Sequence, residues 1–419
     1  MKKTIKLALV AALALGTTSA FATNGSNLIG TGAKSRAMGG TSIAMAHGAE
    51  SGLSNVALIT SVEGTEVAFG GTIFMPDVSN SMGQIGMMYP AETSDADLNV
   101  IPEVSIVSKI NDNFSMGIGM WGTAGMGVDY RGDDNNFNMV TNLQLMQFGV
   151  PLAYKMNGFS IGITPVLQYG SLDINYNGTL DASAMYGEGA EADVEHSGGV
   201  SQDLQFGYNI GLAYEIANLT LGLAYKSQID MEYKGQMSGA STPFANFGMF
   251  GGAPLSDNLS TPAEIGLGAS YKLDEHAIAM DVKQINWSDA DGYGDFGWED
   301  QTVIAIGYQY ETKTWAARVG YNSGSNPVAE QSIGNDATAS AVNMFNLLGF
   351  PGIVESHITL GYSYNVSDKT SFDLAYTYAP EVTETYSTAH FAGFGSENPT
   401  QMTTTHSQTS LSFGVNYNF

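Results

Sequence analysis

The last ten residues alternate without a break. Leu411, Phe413, Val415, Tyr417 and Phe419 fall on one side, and Ser410, Ser412, Gly414, Asn416 and Asn418 on the other. A period of two sends successive side chains to opposite faces of one strand. One face is apolar and ends in an aromatic carboxyl terminus; the other is small or polar. A strand with lipid outside and water inside reads this way, and so does the closing strand of a soluble sandwich. Taken alone, the segment leaves both open.

The same alternation recurs along the chain. Phe159, Ile161, Ile163, Pro165, Leu167 and Tyr169 share a face, as do Phe206, Tyr208, Ile210, Leu212 and Tyr214, and Phe372, Leu374, Tyr376 and Tyr378. Strands are predicted over 65–76, 99–110, 113–129, 140–156, 158–176, 203–217, 218–235, 262–274, 275–289, 301–311, 313–323, 355–366, 369–385 and 406–419. That is fourteen, an even number. Tight turns at 111–113, 157–158, 217–218, 274–275, 312 and 367–368 alternate with long loops at 77–98, 130–139, 177–202, 236–261, 290–300, 324–354 and 386–405. Short turns on one rim and long loops on the other are characteristic of outer-membrane barrels, and they place both termini on the periplasmic side. Tyr154, Tyr214, Tyr271, Tyr310, Tyr364 and Tyr417 are expected at the short-turn interface, and Tyr130, Tyr169, Tyr233, Trp287, Tyr321 and Tyr378 at the other. The fold class follows: all-β, a 14-stranded antiparallel transmembrane β-barrel over residues 65–419.

Lys2, Lys3 and Lys6, an apolar run from Leu7 to Leu15 and Ala20-Phe21-Ala22 make residues 1–22 a secretory signal peptide with cleavage after Ala22. The chain is therefore expected to be exported to the bacterial outer membrane. Three of its 15 basic residues lie in that leader, leaving 12 against 41 acidic ones. Such an excess of negative charge argues against a nucleic-acid partner. With no cysteine, neither a disulfide framework nor a thiolate metal site is available. No metal or cofactor is expected. Asp289 to Asp295 lacks calcium-loop spacing and reads as a solvated outer loop. The G-x-G-x-x-G at Gly117, Gly119 and Gly122 has no helix after it.

Residues 23–64 do not alternate and are rich in small side chains. A barrel this wide needs a plug or remains open, so they are expected to form a luminal hatch of short helices rather than a loose tail. Here the chain resembles the FadL family of outer-membrane transporters for long-chain fatty acids and other hydrophobic molecules. The resemblance rests on the signal peptide, Arg36-Ala37, Asn55-Val56-Ala57-Leu58-Ile59-Thr60, fourteen strands and the terminal Phe419. Val56 stands where the family usually has proline. The resemblance implies capture of apolar substrate by outer loops, binding in the lumen, a hatch shift and lateral exit at a kink in the third strand. It also implies that Phe419 is a signal to the barrel assembly machinery. The other partners expected are a hydrophobic small molecule and outer-membrane lipid or lipopolysaccharide, with the protein a monomer.

Candidate site residues follow. Phe244, Phe247, Met249 and Phe250 in one long loop, and Phe345, Leu347 and Leu348 in another, form either an exposed apolar ligand surface or a packed loop core. Gly119, Gly122, Gly125 and Gly127, with Trp121 among them, load the third strand with glycine, which marks a bulge and wall opening or room for the hatch or a neighbouring aromatic. Strand parity places Lys226, Lys283 and Arg318 in the lumen with Asp281 and Asp373, as salt-bridge partners or as a carboxylate clamp. Glu299, where fatty-acid members carry lysine as the segments align, favours a neutral apolar substrate such as a hydrocarbon. A general diffusion porin and a surface adhesin or receptor are the competing functions. A barrel hydrolase has only His390 and His406 in its support.

Overall fold

The computed structural model describes residues 23–332, 334 and 337–419; the expected signal peptide lies outside them. Fourteen strands form the wall: β1 (Thr65–Gln84), β2 (Asn99–Lys109), β3 (Phe114–Asp129), β4 (Val140–Gly149, resuming as Leu152–Met156), β5 (Phe159–Asp181), β6 (Ser201–Ile216), β7 (Leu219–Lys226), β8 (Glu264–Leu273), β9 (His276–Ile285), β10 (Gln301–Glu311), β11 (Trp315–Gly324), β12 (Ser356–Ser367), β13 (Thr370–Ser387) and β14 (Gln401–Asn418). Neighbours pair antiparallel, and β14 closes the cylinder against β1 from Gln401↔Gly83 to Asn418↔Glu66. On β14 the apolar face is turned out, with Leu411, Phe413 and Tyr417 exposed, while Ser410, Ser412 and Asn416 are buried. The wall repeats this inversion, because its outer solvent is hydrocarbon. Tight turns rely on positive φ where the two-residue hairpin requires it: Asn157 and Gly158 sit at φ 53° and 81°.

β4, expected unbroken over 140–156, is interrupted at Val150-Pro151, and the other departures from the sequence-based bounds lie near the long-loop rim. β1, β5, β13 and β14 run farther than expected, because paired polar strands can continue above the bilayer. β7 is shorter: it ends at Lys226, and Ile229, Met231 and Tyr233 turn inward and are buried. Tyr130, Tyr233 and Trp287 are fully interior rather than members of an aromatic belt. A period of two marks which side chains share a face but not where the chain leaves the wall.

The long loops fold over the barrel mouth. Helices α2 (Met237–Asn246) and α3 (Thr338–Met344) lie in two of them, and the 289–295 segment keeps Asp289, Asp291 and Asp295 exposed while burying Ala290 and Tyr293. Inside the wall, residues 23–62 carry helix α1 (Gly32–Ala37) and two short turns of helix, Ser51–Ser54 and Val56–Ser61. Wall glycines make this fit. A Cβ on Gly222 would strike the Ile43 carbonyl, and one on Gly320 the Gly39 amide.

Candidate functional site

A continuous set of interior features leads from the loops to one side of the wall. Uppermost is an aromatic cap. Phe244 on α2 meets Phe345 edge-on at 5.4 Å and stacks at 6.2 Å on Phe391, with Tyr176 6.0 Å from both Phe244 and Phe345. Met249, Leu347 and Leu348 are buried with them, while Phe247 and Phe250 are only partly covered. Among their described residues the two apolar loops therefore pack on each other and leave no large apolar side chain exposed; burial of this area outweighs leaving it in water. Phe244→Ala should remove about 3–5 kcal/mol from the cap. Limited proteolysis should then cut the 236–261 loop while the heat-modifiable band of the folded barrel is unchanged.

Beneath the cap, Trp287, Tyr293 and Trp298 form a triad with centroids 4.7–5.1 Å apart, Trp287 edge-on to the other two rings. Residues 23–28 connect this triad to the wall. Ser26 Oγ lies 3.0 Å from Tyr293 Oη, and the Ser26 carbonyl accepts from Gly125 N at 3.1 Å. Asn27 pairs with Ala124 on β3, and its Nδ2 donates to Glu264 Oε1 at 2.9 Å.

At that contact the wall is interrupted. β2 and β3 pair only up to Glu103↔Trp121. β3 bulges between Gly122 and Ala124 in its pairing with β4. Lipid-facing alternation stops there too: from Met120 to Asp129 every residue but Thr123 is buried. The upper half of β3 has lost its β2 partner while staying paired with β4 through Asp129↔Val140, and both of its faces are covered. Gly119 has no room for a Cβ because the Trp121 ring fills it, and Trp121 also packs near Gly52 of the hatch. Gly122, Gly125 and Gly127 lie on this covered stretch.

A cavity of about 80 Å³ abuts this gap. It is lined by Gly122 and Thr123 of β3, by Leu28, Ile43 and Leu53 of the luminal segment, and by Lys226, Glu264, Asp281 and Lys283 of β7 to β9. Lys226 Nζ stands 3.2 Å and Lys283 Nζ 3.9 Å from Glu264 Oε2. The two lysines thus come together, whereas Arg318 lies elsewhere, donating to Gln309 Oε1 at 2.6 Å and to Ser363 Oγ. Glu299 is exposed on the long-loop rim, away from the cavity.

The hatch is fastened by buried polar contacts. Arg36 donates to Thr72 Oγ1 at 2.8 Å and pairs with Glu103, whose other oxygen accepts from Gly32 N at 3.0 Å. Asp281 Oδ2 accepts from Ser42 N and Ile43 N at 2.7 and 2.9 Å. Asn55 Nδ2 donates to Ile43 O and Leu212 O, and Asn55 Oδ1 caps Ala57 N at 3.1 Å. Asn55 is extended (φ −132°, ψ 100°) with Val56 first in the following helix. A residue preceding proline favours that conformation and proline favours that helical position, so Val56 keeps the geometry without the ring. Val56 and Ala57 are both buried against the wall.

Two hatch groups titrate abnormally through burial. His47, whose Nε2 lies 2.7 Å from Thr41 O, is pushed down to about 3 from 6.5, and Glu50 up to about 8 from 4.5. Each therefore prefers to be neutral. His47 costs stability as pH falls from 6.5 toward 3, and Glu50 costs stability as pH rises from 4.5 toward 8. Hatch protection from hydrogen exchange should thus peak between these limbs, at about pH 5.5. Glu50→Gln should flatten the alkaline limb and His47→Gln the acid one.

Glu103, Glu264, Asn27 and the Trp287–Tyr293–Trp298 triad escaped the sequence reading. Lone carboxylates on the luminal parity of β2 and β8 were the available signal for the first two. His390 and His406 each face a backbone carbonyl, Gly334 O at 2.9 Å and Pro351 O at 2.7 Å.

The family model described as outer membrane protein transport protein (OMPP1/FadL/TodX) matches residues 7–419. The long-chain fatty acid transport protein of Salmonella typhi is 26% identical over 323 residues, 66% of this chain and 72% of that protein. Its Escherichia coli K12 counterpart is 24% identical over 329 residues, 66% and 73%. Among solved structures, a Pseudomonas aeruginosa FadL homologue superposes with a TM-score of 0.71 at 16% identity, covering 94% of this chain and 100% of that one. The Pseudomonas putida toluene transporter TodX gives 0.66 at 19%, covering 93% and 99%. At these identities the structural likeness speaks for the fold.

Proposed function

The chain belongs to the OMPP1/FadL/TodX family of outer membrane transport proteins, and from that premise we propose that it carries hydrophobic small molecules inward through a gap in its own wall. It is an outer-membrane β-barrel transporter and not an enzyme. Molecules enter past the aromatic cap, rest in the luminal cavity and leave sideways between β2 and β3. Residues 23–64 act as the hatch that plugs the lumen, with Arg36, Asn55, Val56 and Ala57 seating it. Export relies on cleavage after Ala22, assembly on the terminal Phe419, and the protein works as a monomer.

The observation that carries this reading is the cavity's position: its wall includes Gly122 and Thr123, immediately past the last β2–β3 pair. Passage through that side delivers an apolar solute to lipid and spares it a water-filled pore. Residues 23–28 hold the inner side of the gap, so their displacement is the step that opens it.

The test pairs uptake with permeability. Cells bearing the protein should accumulate radiolabelled alkanes, aromatics or fatty acyl compounds faster than cells lacking it. Proteoliposomes should not swell in sugars. Free sugar entry through the intact protein would make it a porin, and no difference in uptake would leave the loops a receptor role.

A further inference from the structure

The luminal cavity holds two cations and two carboxylates, and its charges are already matched. Lys226 and Glu264 face each other across β7 and β8 in direct register, and Lys283 lies opposite Gly266, two residues along the same face from Glu264. Glu264 thereby occupies the place between two ammonium groups that an anionic ligand head would need. It is further held by Asn27 of the hatch. A carboxylate entering here must displace Glu264 or lie beside it and Asp281, and like charges at that range repel.

The unsatisfied groups point the same way. Among the described residues lining the cavity, three buried atoms have no hydrogen-bond partner: Gln147 Oε1, Asp281 Oδ1 and Asn322 Oδ1. All are acceptors. Asn322 spends its amide on Gly39 O at 3.0 Å, and Asp281 spends its other oxygen on two hatch amides. A carboxylate can only accept, whereas a hydroxyl can donate to such oxygens. Orphaned buried acceptors are costly. Gln147 and Asn322 line the cavity with these oxygens just beneath its surface, so a donor reaches them through a small turn of the side chain, while Asp281 Oδ1 is turned toward Gly268. The remaining lining, including Leu28, Ile43, Leu53 and Val303, is apolar.

We propose that this cavity selects neutral, hydroxyl-bearing apolar molecules over carboxylates, and that Glu264 sets the choice by holding the anion position between Lys226 and Lys283. This rests on the transport reading above and names the substrate class of that same site.

Equilibrium binding of radiolabelled 1-dodecanol and dodecanoate to the full chain in lipid nanodiscs, at a pH where the acid is ionised and with empty nanodiscs subtracted, tests it. The two probes share a chain length and differ in the head. The wild-type protein should bind the alcohol about tenfold more tightly or better. Glu264→Gln frees both lysines, so dodecanoate should gain about tenfold and the preference close or invert. Asn322→Leu should weaken the alcohol several-fold and leave dodecanoate unchanged. Equal or tighter wild-type binding of dodecanoate overturns the proposal and needs no variant to do so. An unchanged ratio in a folded Glu264→Gln protein overturns the role of Glu264. Binding of neither probe, together with absent uptake, overturns the transport reading itself.

Discussion

Arg36→Ala is expected to convert a closed barrel into a conducting one. Arg36 and Glu103 are both nearly inaccessible, so each charge depends on the other for solvation. Removing one partner of a buried pair costs about 3–5 kcal/mol, most of it the penalty of stranding the remaining charge. Here the stranded group is Glu103, still facing the α1 amide of Gly32. The wall is held by its hydrogen-bonded ladders and does not need Arg36; the hatch does. The energy should therefore be lost from seating of residues 23–62, and the barrel should remain. In planar bilayers the wild-type protein should pass little current, and the variant should show long-lived ion-conducting openings. Arg36→Leu combined with Glu103→Leu should restore closure in large part, because replacing both charges strands neither. If the single variant stays as tight as the wild type with its hatch protected from protease, the pair is not what seats it.

The barrel was legible because a two-residue period repeated fourteen times, with short turns and long loops alternating between the strands, suits a closed membrane sheet and little else. Asn157-Gly158 and its counterparts fix the hairpins. The interior was less legible. Ile229, Met231 and Tyr233 continue the alternation of β7 in sequence while leaving the wall in space. Phe244 and Phe345 look like an exposed ligand surface until the two loops are seen to cover each other. The glycine-rich run of β3 holds a register shift between Gly122 and Ala124, but glycine content does not give its form. The β2–β3 ladder ends at Glu103↔Trp121, and pairing is a relation between two segments that neither reveals alone. Lys226, Lys283 and Arg318 shared luminal parity in sequence, yet only the first two meet, because parity carries no height along the barrel.

A staple across the gap should stop transport without touching the cavity's polar groups. A Cβ placed on Gly122 falls 3.7 Å from Ile101 Cβ, within the separation of about 3.5–4.5 Å that a disulfide spans. The native chain has no cysteine, so Ile101→Cys with Gly122→Cys leaves one pair to form. The Ile101 methyl that would crowd Gly122 at 2.5 Å is lost in the same change. Oxidised, the bond ties β2 to β3 just above their last natural pair and fixes the gap at its resting width. If solute leaves between these strands, uptake of a labelled hydrophobic probe should fall about tenfold or more, since a covalent bond cannot be opened by the fluctuations that part unpaired strands. Dithiothreitol should restore it in the same cells, and neither single-cysteine variant should respond to oxidant. Because the reduced and oxidised proteins differ by one bond, a folding defect cannot imitate the result. Full transport by the oxidised pair would place the exit elsewhere, through the second cavity that Lys34, Lys272, Glu311 and Arg318 line, and would leave the β3 distortion a packing feature for Trp121 and the hatch.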